Sequence, residues 1–182
     1  MTERSIPVTD AEGKPMRGKW AQGIVPRHFA WILKERLAIC ERPGGYGDNH
    51  RRVRRQEEII WLRQNGFDNV ISLIPSNHNL HNYDELDMPY LHRPLEKRAN
   101  MSLRLPQIYD ELGVLLDDGQ KLIVHGDSFD DTMLGFVGGY VVYSGLVPNV
   151  PETITVVEQM LERQLGPEAR SMVAAAAGAS SG

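Results

Sequence analysis

Short apolar runs alternate along the chain with longer segments in which apolar residues recur every three or four positions. Residues 70–74 and 122–124 are apolar runs of strand length, and each leads into a polar loop. One helix is predicted before Gly119 by apolar residues at helical spacing, namely Leu105, Ile108, Leu112, Leu115 and Leu116. Strands that alternate with helices predict an α/β fold with a mainly parallel central sheet flanked by helices on both faces.

The other predicted elements follow the same alternation. Further strands are predicted at 29–33, 37–40 and 88–92, and further helices at 51–65, 132–144, 151–165 and 167–176. The polar, Gly- and Pro-containing residues 1–18 are predicted to form a flexible arm, and the low-complexity residues 174–182 a disordered tail. Residues 19–173 then form one domain.

Composition excludes several classes of protein. The 182 residues carry a net charge of −4, which gives no overall bias toward nucleic acid or a membrane surface. The single cysteine, Cys40, excludes internal disulfides and multi-cysteine metal clusters. The chain shows neither an apolar run of membrane-spanning length nor a signal-peptide core, so we expect a cytoplasmic protein that binds no membrane.

The most informative segment is residues 121–132, with the sequence KLIVHGDSFDDT. An apolar strand leads through a polar loop into a predicted helix. Because the first amides of a helix point toward the preceding loop, this order of elements can build an anion site.

This segment resembles the active-site loop of cysteine-dependent protein phosphatases, particularly the small dual-specificity phosphatases. Their signature is a strand that ends in His-Cys, then five residues, then an arginine at the start of a helix. His125 stands at the histidine position, whereas Gly126 occupies the cysteine position and Thr132 the arginine position. The order of elements over roughly residues 29–165, with Arg93-Pro94 in mid-chain, also resembles this family. The resemblance implies a phosphatase-like fold in a catalytically degenerate member, a pseudophosphatase.

The two replaced residues carry the chemistry of such phosphatases. The cysteine thiolate attacks phosphorus, and the arginine holds two phosphate oxygens through its planar guanidinium. Gly126 has no side chain and Thr132 offers one neutral hydroxyl. Loss of a hydrolase nucleophile lowers turnover by about a millionfold, so we expect no thiolate-based phosphatase activity.

Four interpretations of the loop remain open. Backbone amides could bind a phosphorylated ligand, but each carboxylate of Asp127, Asp130 and Asp131 would repel one phosphate charge by about 2–3 kcal/mol at about 6 Å. The acidic loop could instead bind a basic segment of a protein partner, which is our leading hypothesis. His125 and the three aspartates could ligate a divalent metal and support metal-assisted hydrolysis. Finally, Asp130 or Asp131 could simply cap the following helix.

A basic segment precedes the predicted helix 51–65. Arg51, Arg52, Arg54 and Arg55 lie at a helix N-terminus, where the helix dipole disfavours cations. They could be solvated and paired with Glu57 or Glu58, or they could reach the acidic loop and bind a ligand there. Net acidity and the lack of a neighbouring aromatic platform argue against nucleic acid.

The predicted ligand-binding set is therefore Arg51, Arg52, Arg54, Arg55, His125, Asp127 and Ser128. By the same resemblance, Glu96 occupies the place of the phosphatase general acid. No cofactor is predicted. The alternatives to a binding or regulatory module are a metal-assisted phosphoric monoester hydrolase and a structural subunit of a larger assembly.

Overall fold

The computed structural model describes residues 23–96 and 101–180. The strands are β1 (Ala30–Leu33), β2 (Leu37–Ile39), β3 (Asn69–Ser72), β4 (Tyr90–His92) and β5 (Leu122–His125). The α-helices are α1 (Arg52–Gln64), α2 (His81–Glu85), α3 (Met101–Asp117), α4 (Asp131–Tyr143), α5 (Val150–Leu161) and α6 (Pro167–Ala179). Every predicted strand and helix is present, and the short helix α2 lies where the sequence indicated a polar loop.

The strands form one sheet in the order β1-β2-β5-β3-β4. Only β1 is antiparallel to its neighbour, and the pairings β2–β5, β5–β3 and β3–β4 are parallel. The carboxyl ends of four strands therefore meet at one edge of the sheet, with β5 at the centre. This edge is where ligands bind in open α/β sheets.

Successive side chains of β5 point to opposite faces of the sheet, as in any strand, and they pack into two separate hydrophobic cores. Leu122 and Val124 belong to the larger core, which includes residues of α3, α4, α5 and α6. Ile123 belongs to the smaller core, which includes residues of α1 and α2. Both faces of the sheet are thus covered, and the predicted α/β architecture is confirmed.

Helix α4 packs closely against α6 because three of its residues are glycines. An ideal Cβ at Gly135 would lie 2.9 Å from Ala169 Cα, and one at Gly138 would lie 2.5 Å from Val173 Cγ2. At Gly139 it would collide with the hydroxyl of Tyr109. This close packing compensates for the cost of three glycines inside a helix, and it fixes the helix that follows the candidate loop.

The predicted C-terminal boundary needs correction. Helix α6 continues past residue 173 to Ala179, and Ala176 is buried against the larger core. Alanine has the highest intrinsic helix propensity, so an alanine run that also buries one face forms helix rather than a disordered tail. The predicted arm at residues 1–18 lies outside the described residues.

Over residues 23–96 and 101–180, none of the helices combines the length and the apolar composition that crossing a bilayer requires.

Gly135→Ala should destabilise the protein by about 1–2 kcal/mol, because overpacking against a backbone atom outweighs a helix-propensity gain of about 1 kcal/mol. Gly113→Ala is the matched control, since a Cβ there meets no atom within 4 Å. This change inside α3 should stabilise by up to about 1 kcal/mol. Urea denaturation of both variants provides the measurement. Equal effects of the two changes would contradict the proposed packing.

Candidate functional site

The candidate loop connects the central strand β5 to helix α4 at the carboxyl edge of the sheet. It borders a cleft of about 60 Å³. One wall is apolar, and the other consists of loop and helix residues. The lining residues are Leu73, Pro75, Leu95, Gly126, Asp127, Ser128, Asp130, Thr132 and Met133.

His125 is a buried structural residue of this loop. Its Nδ1 lies 3.1 Å from the carbonyl oxygen of Gly126, which can only accept, so Nδ1 carries the proton. Its Nε2 then accepts a hydrogen bond of 2.8 Å from the hydroxyl of Tyr83. Burial lowers the pKa of His125 to about 4, so the imidazole is neutral at pH 7.

Gly126 lies under the side chain of Met133. An ideal Cβ at this position would lie 2.7 Å from the sulfur of Met133 and 3.2 Å from its Cγ. The space next to the loop that a nucleophile on residue 126 would need is therefore taken by a thioether. A thioether is neither acidic nor nucleophilic toward phosphorus under ordinary conditions, so Met133 does not replace a thiolate.

Asp127 is paired with Arg42, which follows β2. Arg42 Nη1 donates to Asp127 Oδ1 at 2.7 Å, and Nη2 donates to the carbonyl oxygen of His78 at 2.8 Å. The side chain of Arg42 is only 9% exposed and that of Asp127 28% exposed. Water screens the attraction within this pair less than it screens a surface salt bridge, and loss of one partner would leave the other charge largely buried and unpaired. The pair fixes the loop to the end of the neighbouring strand.

Asp130 and Asp131 each cap a helix, but not the same one. Asp130 Oδ1 accepts from the backbone amide of Met133 at 3.3 Å, at the start of α4, and its Oδ2 accepts from Ser128 Oγ at 3.0 Å. Asp131 accepts from the amides of Gly166 at 2.6 Å and Ala169 at 2.9 Å, at the start of α6. The predicted capping role is confirmed for Asp130. Asp131 stabilises a helix more distant in the sequence.

Thr132, which the sequence resemblance aligned with the signature arginine, is only 8% exposed. It lines the cleft, and its hydroxyl has no hydrogen-bond partner among the described residues. The position thus supplies one neutral polar group in place of a guanidinium.

The four predicted metal ligands do not converge. Both ring nitrogens of His125 are engaged with Tyr83 and Gly126, Asp127 faces Arg42, and Asp131 faces α6. The described residues contain no group of three or more His, Cys, Asp or Glu side chains that could hold a metal ion. These contacts give no support to the alternative of a metal site at His125, Asp127, Asp130 and Asp131.

The basic segment takes up several different contacts. Arg51 donates to the backbone carbonyls of Asp48 and His50, and Arg52 is exposed. Arg54 Nη2 contacts Glu41 at 3.2 Å, and its Nε forms an ion pair with Glu58 at 2.9 Å. The pairing predicted with Glu58 is confirmed.

Contact of this segment with the acidic loop is not found. Arg55 is buried and contacts His50 and Asn82. Among the described residues, Arg42 reaches the acidic loop at Asp127 and Arg163 donates to the carbonyl oxygen of Phe129, and the sequence analysis missed both contacts. Glu96, the predicted acid, is exposed and is not among the cleft-lining residues, whereas its neighbour Leu95 lines the cleft.

The loop that carries Arg42 is held by a buried carboxylate. Glu58 is 1% exposed, and its Oε2 accepts from the amide of Gly44 at 2.9 Å. Gly44 has a φ of +84°, and an ideal Cβ there would lie 2.5 Å from Arg55 Cβ. Burial raises the pKa of Glu58 to about 7, against a value of 4.5 for the exposed group.

The fold is that of dual-specificity and protein tyrosine phosphatases. Tk-PTP in its active form aligns with a TM-score of 0.63 at 16% identity, covering 82% of this chain and 95% of that chain. Kinase-associated phosphatase with serine at its catalytic cysteine aligns with a TM-score of 0.66 at 14% identity, covering 82% and 93%. A human tyrosine phosphatase-like serine/threonine/tyrosine-interacting protein aligns with a TM-score of 0.61 at 16% identity, covering 84% and 95%.

At these identities the similarity establishes the fold alone. No protein-family model and no curated protein sequence matches the chain.

Glu58→Gln should change the pH dependence of stability. The folded protein keeps the Glu58 proton between pH 4.5 and about 7, where the unfolded chain has lost it. This contribution to stability is therefore present at low pH and is lost as the pH rises through that range, by about 3 kcal/mol in total. Glutamine cannot ionise, so its contribution should not vary with pH.

His125 acts in the opposite direction. The unfolded chain holds its proton up to a pKa of 6.5 and the folded protein only up to about 4, so stability rises with pH between these values. We expect the Glu58→Gln variant to gain stability from about pH 4 to pH 6.5, while the wild-type protein shows a flatter curve that falls toward pH 7. Urea denaturation across this range provides the measurement. Parallel curves for the two proteins would contradict the assignment to Glu58.

Proposed function

We propose that this protein is a pseudophosphatase-like binding module whose cleft receives a basic segment of a protein partner. The observation that carries the proposal is the arrangement at Gly126, where Met133 covers the position that a phosphatase nucleophile requires. The phosphatase-like fold supports a site at this edge of the sheet. The residues of the cleft give no support to thiolate chemistry there.

The charge of the cleft favours a cationic ligand over a phosphate. Asp127 and Asp130 both line it, the first paired with Arg42 and the second bound to the amide of Met133 and to Ser128. A phosphate that entered the cleft would meet the field of these carboxylates, whereas an ammonium or guanidinium group would be attracted to it.

The shape of the cleft suits the same kind of ligand. Leu73, Pro75, Leu95 and Met133 give it an apolar wall, and the carboxylates lie on the loop. A lysine or arginine side chain has an apolar stem and a charged end, so it can contact both parts at once. A human neighbour in the structural comparison is described as a phosphatase-like interacting protein, which accords with a binding role for this fold.

The purified protein should not hydrolyse a generic aryl phosphate, with or without Mg²⁺ or Mn²⁺, because residue 126 has no nucleophile and the aspartates do not converge on a metal. The measurement is the rate at which the phenolate is released, compared with the rate in a buffer blank without protein. Turnover that depends on metal and is lost in Asp127→Ala would overturn the proposal in favour of a metal-assisted hydrolase.

Asp127→Asn should weaken binding of a fluorescent lysine- and arginine-rich peptide by about tenfold or more, since the variant removes one negative charge and leaves Arg42 without its partner. Asp118→Asn is the matched control, because it removes the same charge from an exposed position between α3 and β5. Its affinity should equal that of the wild-type protein. Fluorescence anisotropy measures both, and an equal loss in the two variants would indicate non-specific attraction instead of a site.

A further inference from the structure

A second polar site lies behind the loop, between the start of α1 and the segment that follows β3. Arg55, Arg42, His78 and His125 line a cavity of about 10 Å³, which is about the space occupied by one water molecule. Only apolar or neutral side chains complete its lining, including Ile59, Ile74 and Tyr83. The cavity is thus lined by two guanidinium groups and no carboxylate.

Arg55 is the unusual member of this group. The residue is only 7% exposed, yet none of the described carboxylates lies within ion-pairing distance of it. Its two Nη atoms contact the neutral groups His50 Nε2 and Asn82 Oδ1, the latter at 3.3 Å. Its Nε has no hydrogen-bond partner within residues 23–96 and 101–180. A buried cation without a counter-ion is costly, and such groups in native proteins are normally paired.

The surroundings increase the positive potential. Arg42 is committed to Asp127, and its charge, after burial, lowers the pKa of Arg55. Burial, followed by the charge of Arg55, likewise lowers the pKa of His50. Helix α1 has no capping side chain and no acidic residue in its first turn, so its dipole adds to the same potential. The charge of Glu85 acts in the opposite direction and raises the pKa of Arg55, but Glu85 is exposed and lies beside His81.

From this arrangement we infer that Arg55 forms a binding site for a tetrahedral oxyanion, such as a phosphate or phosphomonoester group, separate from the cleft at residues 126–132. The volume admits one oxygen of the anion, and the remainder of the group stays at the mouth of the cavity. Nε of Arg55 donates to that oxygen, as guanidinium groups do in phosphate recognition. The site does not depend on what the acidic cleft binds, so either proposal can fail alone.

The test is a titration of the protein with inorganic phosphate. Binding is measured by calorimetry and by the change in melting temperature, and sodium chloride of equal ionic strength is the control. Phosphate should bind the wild-type protein saturably and raise its melting temperature. Arg55→Gln should bind at least about tenfold more weakly, the loss expected for one charge-assisted hydrogen-bonding pair. Arg51→Gln, which removes an exposed arginine one turn earlier, should retain wild-type affinity. Equal responses in both variants, or no response beyond chloride, would overturn the assignment.

A second measurement does not depend on the stability of the variants. The side-chain Nε–H signal of Arg55 in a nitrogen-15 NMR spectrum of the wild-type protein should shift on addition of phosphate. An unmoved Arg55 signal, with shifts confined to the amides of residues 126–132, would place the anion in the cleft and overturn the inference. A parallel titration with O-phosphoserine distinguishes the source of the group, because tighter binding than that of inorganic phosphate indicates a phosphomonoester ligand.

Discussion

The candidate site depends on the hydrogen bonds that hold both ends of the loop between β5 and α4 in place. Asp130 caps α4 and Asp131 caps α6, so two consecutive carboxylates hold two helix N-termini. The glycines of α4 allow these helices to pack closely, which places Asp131 within reach of Gly166 and Ala169. At the other end, the buried His125 is fixed by Tyr83. Contacts within the protein therefore define the shape of the loop.

These contacts within the protein change which ligands the loop can recognise. Two of its three aspartates bind backbone amides, and the third binds Arg42. In a phosphatase of this fold the phosphate charge is met by an arginine at the start of the helix, where this protein has Thr132. Here a guanidinium from the neighbouring strand satisfies a carboxylate of the protein itself. The same scaffold thus presents a carboxylate-bearing surface rather than one prepared for phosphate.

Much of this arrangement could be predicted from local sequence. The apolar run of β5 and the helical spacing of α3 predicted the fold, and the position of Asp130 before a helix predicted its cap. These features depend on neighbours a few residues away, which periodicity and propensity describe well.

The missed contacts join residues that are distant in the sequence. Arg42 and Asp127 are 85 residues apart. Ile39 pairs with Val124, and continuing this parallel register brings Arg42 opposite Asp127. Their contact thus follows from strand order, which the sequence pattern alone does not provide. Asp131 likewise binds the amides of Gly166 and Ala169, which lie 35 and 38 residues further along the chain at the start of α6. The basic segment was correctly identified as unusual, but its partners depend on the loop 40–45 that folds over the first turn of α1.

The most direct test of the central claim is amide chemical-shift mapping of the nitrogen-15-labelled protein with a lysine-containing peptide. If the cleft is a receptor for a basic segment, the amides of residues 126–133 and of Leu95 should shift together and saturate at a common affinity. Shifts spread over the acidic surface without saturation, or confined to residues distant from the cleft, would contradict the account.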